Sequence, residues 1–254
     1  MIVFHQGDRH DCDRRNQRTL ALSGEFDRRR APRRASISEG GVGGDRLWGI
    51  VDLRDGTVAG PETRRHWRPV PNLASRLGPE GPQLRRDDGS WLDAGSPEAD
   101  ALVSDFLGFP AGLRPHAPFG TERADHVTPR YGRADLHVLT TASMRALGDL
   151  LADPAQAVSR RFRPNLVIDT RPAFSGFVEH SWVGKCLAVG DLTMSVSEPC
   201  ARCAFTSLAQ GALPFEPAVL HTIARHGDGG FGVLCQVEAA AVIRIGDAVR
   251  LIDG

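Results

Sequence analysis

Two cysteines in the second half of the chain carry the clearest chemical signal. Cys200 and Cys203 are separated by two residues, and one of these is Arg202. A thiolate is a good nucleophile and a soft metal ligand, and a neighbouring guanidinium favours the ionised form of a thiol. Because a Cys-x-x-Cys pair is typical of half a zinc site or of a dithiol redox centre, these two chemistries must be considered first.

The rest of the sequence gives little support to either. A zinc site needs two more ligands at local spacing, and Cys235, His221 and His226 are awkwardly placed for that role. A thioredoxin-like pair opens a helix after a strand, whereas Cys200 lies among short predicted strands. We therefore expect the cysteines of this half other than Cys203 to be small buried side chains.

A basic run earlier in the chain predicts an anion site. Arg163 and Asn165 end this run, just before the apolar run 166–168. An arginine can bind two phosphate oxygens at once through its planar guanidinium, so this setting favours an anion-binding role over that of an ordinary surface charge. A helix predicted to begin near residue 142, with Thr141 or Ser143 as its N-cap, offers a second place for an anion.

The elements that must position these residues are mostly short strands. Alternating apolar residues bounded by glycine-containing turns predict strands, and a period near four predicts helices. The predicted strands of the second half are 137–141, 166–169, 186–189, 192–196, 231–238 and a closing hairpin of 241–245 with 248–252, and the predicted helices are 142–151 and 216–226. We therefore expect a mainly β protein with a few helices, folded as a β-barrel or closed sheet.

The first half predicts a smaller β-rich domain. One hairpin pairs 47–51 with 57–59, and a second pairs 83–86 with 90–92. A short helix is predicted at 98–107, and the Gly- and Pro-rich stretch 108–133 is predicted to be a linker. The predicted division of the chain is 1–34 as an Arg-rich disordered lead-in, 35–113 as an N-terminal β domain and 114–254 as the second domain.

Composition excludes several classes of protein. Lys and Arg together number 31, equal to Asp and Glu, so the zero net charge argues against nucleic acid or an anionic membrane as a partner. No apolar run approaches the length of about 18 residues typical of a transmembrane helix, and no secretory signal is visible. An odd number of cysteines, 5, predicts reduced thiols and a cytoplasmic protein.

The order of motifs resembles that of MOSC domains, the C-terminal domains of molybdenum-cofactor sulfurases. The closest likeness is to the group of the mitochondrial amidoxime-reducing component and its bacterial relatives. The likeness extends over 35–254, and the N-terminal part resembles the β domain of that group. The motifs that carry it are GGVGGDRLWGIVD, RFRPNLVID, E-x-S-W-V-G, L-x-V-G-D, PCARC and FGV…IRIGDAV.

The resemblance implies a molybdenum cofactor, that is, molybdenum bound to molybdopterin. It makes Cys203 both the metal ligand and the catalytic residue. The cofactor-binding residues that it implies are Arg46, Thr141, Ser143, Arg163, Asn165, Arg202 and Cys203. The group usually begins with a strand ending in Tyr-Pro-Val-Lys-Ser, whose Lys and Ser bind the cofactor, but no lysine precedes Lys185 here.

The activity that the resemblance implies is an oxidoreductase that reduces N-hydroxylated small molecules. Because the sequence shows no ferredoxin-like cysteine cluster, we expect electrons from a separate reductase or ferredoxin. Two alternatives remain open: a sulfur carrier or transferase that holds a persulfide on Cys203, and a degenerate cofactor-binding protein without turnover.

Overall fold

The chain folds into two compact units, described by a computed structural model over residues 2–6, 34–118, 121, 125–128 and 134–252. The larger one, the barrel unit, contains Met1–Gly43, Arg133–Ser207 and Glu216–Gly254. The second unit contains Gly44–Gly132 and Leu208–Phe215. Among the described residues, no helix is long and apolar enough to cross a membrane.

Strands outnumber helices in the described chain. The strands are β1 Ile2–Gln6, β2 Arg34–Ser38, β3 Gly41–Val42, β4 Trp48–Asp52, β5 Ser75–Leu77, β6 Pro82–Arg85, β7 Trp91–Asp93, β8 Ala111–Pro115, β9 Leu136–Thr140, β10 Leu166–Asp169, β11 Cys186–Val189, β12 Leu192–Ala201, β13 Gly230–Ala239, β14 Ala241–Arg244 and β15 Ala248–Ile252. The α-helices are α1 Pro97–Leu107, α2 Thr141–Leu150, α3 Ser159–Phe162 and α4 Pro217–His226.

A closed barrel forms the centre of the barrel unit. Its strands follow the order β1, β10, β9, β13, β12, β11 and β15, with β15 returning to β1. Strands β1, β10 and β9 run parallel, and the remaining neighbours up to β15 are antiparallel. The prediction of a mainly β fold with a barrel is therefore confirmed.

Burial alternates from one residue to the next along the first part of β12. Along β12, Leu192, Met194 and Val196 are buried, while the residues between them are half-buried. This two-residue period is what a strand with one face toward a core requires. A second apolar cluster packs outside the barrel wall, and its members include Leu147 of α2 and Ile223 of α4.

Two of the predicted features of the barrel unit are wrong. Strand β14 pairs with β2 and not with β15, which instead lies between β11 and β1, so there is no closing hairpin. Residues Ile2–Gln6 form a barrel strand within the predicted disordered lead-in, because the apolar residues of this segment precede the Arg-rich part. The remainder of that lead-in up to residue 33 lies outside the described residues.

The second unit has its own core. It contains the pair β4 and β8, the meander β5 to β7, and helix α1, which Ser96 caps by accepting a hydrogen bond from the Ala99 N–H. The fully buried indole of Trp67 lies in its apolar cluster. The predicted hairpin 83–86 with 90–92 is present as β6 and β7.

Strand β4 has two partners, and one of them is the predicted one. It pairs along its length with β8, which lies in the stretch predicted to be a linker. It also pairs with the predicted segment 57–59: Val51 bridges to Val58, the Asp52 N–H donates to the Thr57 carbonyl at 2.9 Å, and the Ala59 N–H donates to the Ile50 carbonyl at 2.8 Å. The observed boundaries at 43/44 and 132/133 therefore differ from the predicted ones at 34/35 and 113/114. The reason is strand pairing, which joins β2 to the barrel unit and β8 to the second unit.

Candidate functional site

Cys203 lies where strand β12 gives way to a tight turn. The N–H of Arg202 still bonds across to the Gly229 carbonyl at 2.8 Å, and a 3₁₀ turn over Ala204–Ser207 follows. Among the cysteines of the described chain, Cys203 is the exposed one; Cys186 is half-buried, and Cys200 and Cys235 are buried. The thiol that the resemblance selects is therefore also the thiol that solvent and ligands can reach.

The two thiols of the Cys-x-x-Cys motif differ in their exposure. Cys200 is buried within strand β12, Cys203 is exposed beyond the end of that strand, and both are free thiols. Among the described residues, no group of three or more His, Cys, Asp or Glu side chains could hold a metal, so a zinc site lacks its further ligands there.

Arg202 turns away from Cys203 and into the protein. One of its terminal nitrogens donates to the Cys200 Sγ at 3.0 Å, and the other donates to the Phe162 carbonyl at 3.0 Å. Its guanidinium also lies 5.7 Å from the centre of the Phe162 ring. The side chain of Arg202 thus links the thiol segment to the end of α3, whereas the resemblance implies a cofactor contact.

Arg163 faces outward on the same side of the chain. It follows α3 in a left-handed conformation, with φ 51° and ψ 49°, and its N–H bonds the Ser159 carbonyl at 3.0 Å. Its side chain is exposed, and its guanidinium lies 5.1 Å from the centre of the Phe205 ring. Because Phe205 is two residues beyond Cys203, the structure brings the predicted anion-binding arginine near the exposed thiol.

The side chain of Asn165 is fixed by the neighbouring strand. Its Oδ1 accepts a hydrogen bond from the His137 N–H at 2.9 Å, and its own N–H donates to the His137 carbonyl at 2.9 Å. The residue therefore bridges the starts of β9 and β10. Since its carboxamide oxygen is engaged by the backbone, the amide nitrogen is the end of the group suited to meet an anionic ligand.

The start of α2 is organised differently from the prediction. Thr140, and not Thr141 or Ser143, is the N-cap, and its Oγ1 accepts from the Ser143 N–H at 3.0 Å. The hydroxyl of Thr141 donates to Asp169 Oδ1 at 3.0 Å, and that of Ser143 donates to Glu179. Both predicted cofactor contacts are thus buried and engaged within the protein.

Glu179 accepts hydrogen bonds from two hydroxyls at the start of α2. It has no exposed surface, and its Oε2 accepts hydroxyl hydrogen bonds from Thr140 at 2.7 Å and from Ser143. Burial raises the pKa of this carboxyl, and the two hydroxyl hydrogen bonds partly oppose that rise. The signal for its role in the sequence is its place in the E-x-S-W-V-G motif.

Arg46 belongs to the second unit. It too has a left-handed backbone, with φ 53°, and its carbonyl lies 2.7 Å from His116 Nδ1. Its side chain lies 3.5 Å from the Asp45 carboxylate. A left-handed conformation is uncommon for a residue other than glycine, and two of the predicted cofactor-binding arginines, Arg46 and Arg163, adopt it.

Comparison with known proteins places this geometry in a family. The profile of the MOSC domain matches residues 120–250, which is more than half of the chain. The chain belongs to the MOSC domain family. This family is associated with binding of the molybdenum cofactor.

Similar solved structures are distant from this chain. YiiM from Geobacillus stearothermophilus is 16% identical over 47% of this chain and 55% of its own, with a TM-score of 0.36. The YUAD protein from Bacillus subtilis is 13% identical over 88% of this chain and 86% of its own, with a TM-score of 0.43. The match therefore spans about half the length of YiiM, and the comparison with curated proteins gives no match.

Part of the described site fits a molybdenum cofactor. The exposed thiol of Cys203 supplies a soft ligand, and the outward guanidinium of Arg163 and the fixed carboxamide of Asn165 supply groups for an anionic cofactor. Thr141 and Ser143 are buried and engaged within the protein, and the two terminal nitrogens of Arg202 are held there too, whereas its buried Nε has no hydrogen-bond partner among the described residues.

Proposed function

We propose that this MOSC protein is a molybdenum-cofactor oxidoreductase that reduces N-hydroxylated small molecules. The observation that carries the proposal is the exposed Cys203 thiol together with the exposed Arg163, whose guanidinium lies over the ring of Phe205, two residues beyond Cys203. Bound at this thiol, the cofactor supplies the two-electron chemistry, and the protein supplies binding, orientation and electrostatics.

The residues of the chain take distinct parts in this proposal. The Cys203 thiolate holds the metal, and the fixed backbone at the end of β12 sets its direction. Arg163 and Asn165 hold the anionic part of the cofactor. Reduction of an N-hydroxylated compound to an amine and water consumes two electrons and two protons, and we assign the electrons to a separate reductase or ferredoxin.

The first experiment measures metal in protein purified from a host that makes the cofactor. The wild-type chain should hold close to one molybdenum, and Cys203→Ser should hold none. Cys200→Ser is the matched control, since it removes the neighbouring buried thiol and should retain the metal. Molybdenum retained by Cys203→Ser would refute the assignment of the ligand.

The second experiment measures turnover without the unidentified reductase. A chemically reduced viologen donates electrons, and reduction of an amidoxime or a hydroxylamine is followed by loss of viologen absorbance. Molybdenum with no turnover would instead support a non-catalytic cofactor-binding protein. Absence of molybdenum together with a labile sulfur on Cys203, detected by mass spectrometry, would instead support a sulfur carrier.

A further inference from the structure

The basic run before β10 contains an arginine, Arg161, that has no role in the proposed function. Arg161 has 0% of its surface exposed, whereas Arg160 and Arg163, on either side, are exposed. Its Nε donates to the Gln156 carbonyl at 3.3 Å, one terminal nitrogen donates to Gln156 Oε1, and the other donates to the Thr206 carbonyl at 3.1 Å. The buried arginine therefore joins α3 to the turn that follows Cys203.

Thr206, whose carbonyl accepts from Arg161, also donates hydrogen bonds to Cys203. Its N–H donates to the Cys203 carbonyl at 3.1 Å, and its Oγ1 donates to the same oxygen at 3.0 Å. Thr206 has no exposed surface, so these hydrogen bonds do not compete with water. The carbonyl of Cys203 is thus held by two donors from one residue, whose own carbonyl is held by Arg161.

The hydrogen bonds of Arg161 are donated by a charged group that is removed from water. Moving a charge out of water has a large free-energy cost, and burial lowers the pKa of Arg161 while the charge of Glu216 opposes that change. The N–H of Glu216 also donates to the Ser207 carbonyl at 2.9 Å, so the residue of opposite charge is hydrogen-bonded to the same turn. This free-energy cost is explained if the turn that follows Cys203 must keep one conformation.

We propose that Arg161 is a positioning residue that acts through Thr206 to fix the backbone of Cys203 and, with it, the direction of the thiol. The positioning role of Arg161 does not itself depend on the proposed function. Its expected consequence, a preorganised metal ligand, rests on that function. Residues that orient a metal ligand from outside typically change metal affinity about 10- to 100-fold when they are replaced. The planar fork of arginine serves both Gln156 and Thr206, which a lysine cannot do in the same way.

The test measures the mobility of a nitroxide spin label attached to Cys203 in protein without metal. Cys12→Ser and Cys186→Ser remove the other thiols that the label could reach, and a further Cys203→Ser change supplies the blank. Thr206→Val removes the hydroxyl donor with little change of volume, and Thr206→Ser restores it. We expect Thr206→Val and Arg161→Met each to sharpen the label spectrum, and Thr206→Ser to return it to that of the wild type.

The coupling is tested with the double variant and with the metal. If Arg161 acts through Thr206, Arg161→Met and Thr206→Val together should mobilise the label no more than one of them alone. In the otherwise wild-type chain, each should weaken retention of molybdenum during dialysis by about 10-fold or more. Arg161→Met faces the risk of misfolding. Arg161→Lys keeps the charge but not the planar fork, so it tests the same residue in that case and should also mobilise the label.

The outcomes separate the two proposals. Unchanged label mobility in folded Thr206→Val, with only a lower melting temperature, would overturn the positioning role. A mobilised label that Thr206→Ser reverses supports the role even if the wild-type chain binds no molybdenum, in which case the proposed function alone fails.

Discussion

Replacing Arg163 by glycine and by alanine separates the strain of its backbone from the use of its side chain. Arg163 adopts φ 51° and ψ 49°, a conformation that costs an L-residue about 1–2 kcal/mol and that glycine adopts freely. Both variants lose the stacking of the guanidinium on Phe205, worth about 0.5–1 kcal/mol at an exposed site. Only the glycine variant loses the strain.

The expected order of stability follows from these terms. Arg163→Ala keeps the strained backbone and loses the stacking, so it should be less stable than the wild type by about 0.5–1 kcal/mol. Arg163→Gly gains the relief of strain but loses about 0.4–1 kcal/mol because glycine makes the unfolded chain more flexible. The glycine variant should therefore be more stable than the alanine variant by about 1 kcal/mol.

The assay is equilibrium urea denaturation followed by circular dichroism, with molybdenum content measured on the same samples. The matched control is Arg160, an exposed residue within α3, where Gly should be less stable than Ala by about 0.5–1 kcal/mol. Equal stability of the two Arg163 variants would refute the strain, and full molybdenum in either would refute the anion-binding role.

Two substitutions and one labelling experiment test the fold around the site. Glu179→Gln should flatten the dependence of stability on pH. The raised pKa of Glu179 means that the unfolded chain ionises first, so the unfolding free energy falls as pH rises above 4.5. An unchanged slope of urea midpoints from pH 5 to 8, a range above the ordinary carboxyl pKa, would contradict this. Gly232→Ala should destabilise the protein by about 2 kcal/mol or more in thermal denaturation, because φ is 79° and a Cβ would lie 2.3 Å from His137 Nε2; a smaller loss would mean that β13 can shift. Burial raises the pKa of the Cys235 thiol to about 12, so this residue should resist alkylation until the barrel unfolds, and rapid labelling of native protein would disprove its burial.

The sequence was informative where a pattern is local. The two-residue period of β12 and the helix that follows residue 140 both appear as predicted, since each depends on residues adjacent in the chain. The pairing of β14 with β2 could not be read in the same way, because those strands are far apart in sequence and nothing local distinguishes that pairing from a hairpin with β15. Strand β8 was missed because its proline and its glycine resemble those of a linker.

The residue types at the candidate site were easier to predict than the directions of their side chains. Arg161, Arg163 and Arg202 are alike in sequence, yet one is fully buried, one is exposed and one is half-buried on a thiol. Burial of an arginine depends on which carbonyls the fold brings to it, and those of Thr206 and Phe162 come from other segments of the chain. The run RRFR therefore predicted an anion site without showing which guanidinium faces it.

The buried carboxyl at α2 changes what must hold an anionic cofactor. A helix N-terminus attracts anions through its unpaired N–H groups and its dipole, but here Glu179 takes the hydroxyls of Thr140 and Ser143. Since these two hydroxyls are engaged within the chain, exposed groups such as Arg163 are better placed to interact with an anion. Of the predicted residues in the barrel unit, Arg163 and Asn165 keep geometry suited to the task, and cofactor affinity should therefore depend on Arg163 more than on the start of α2.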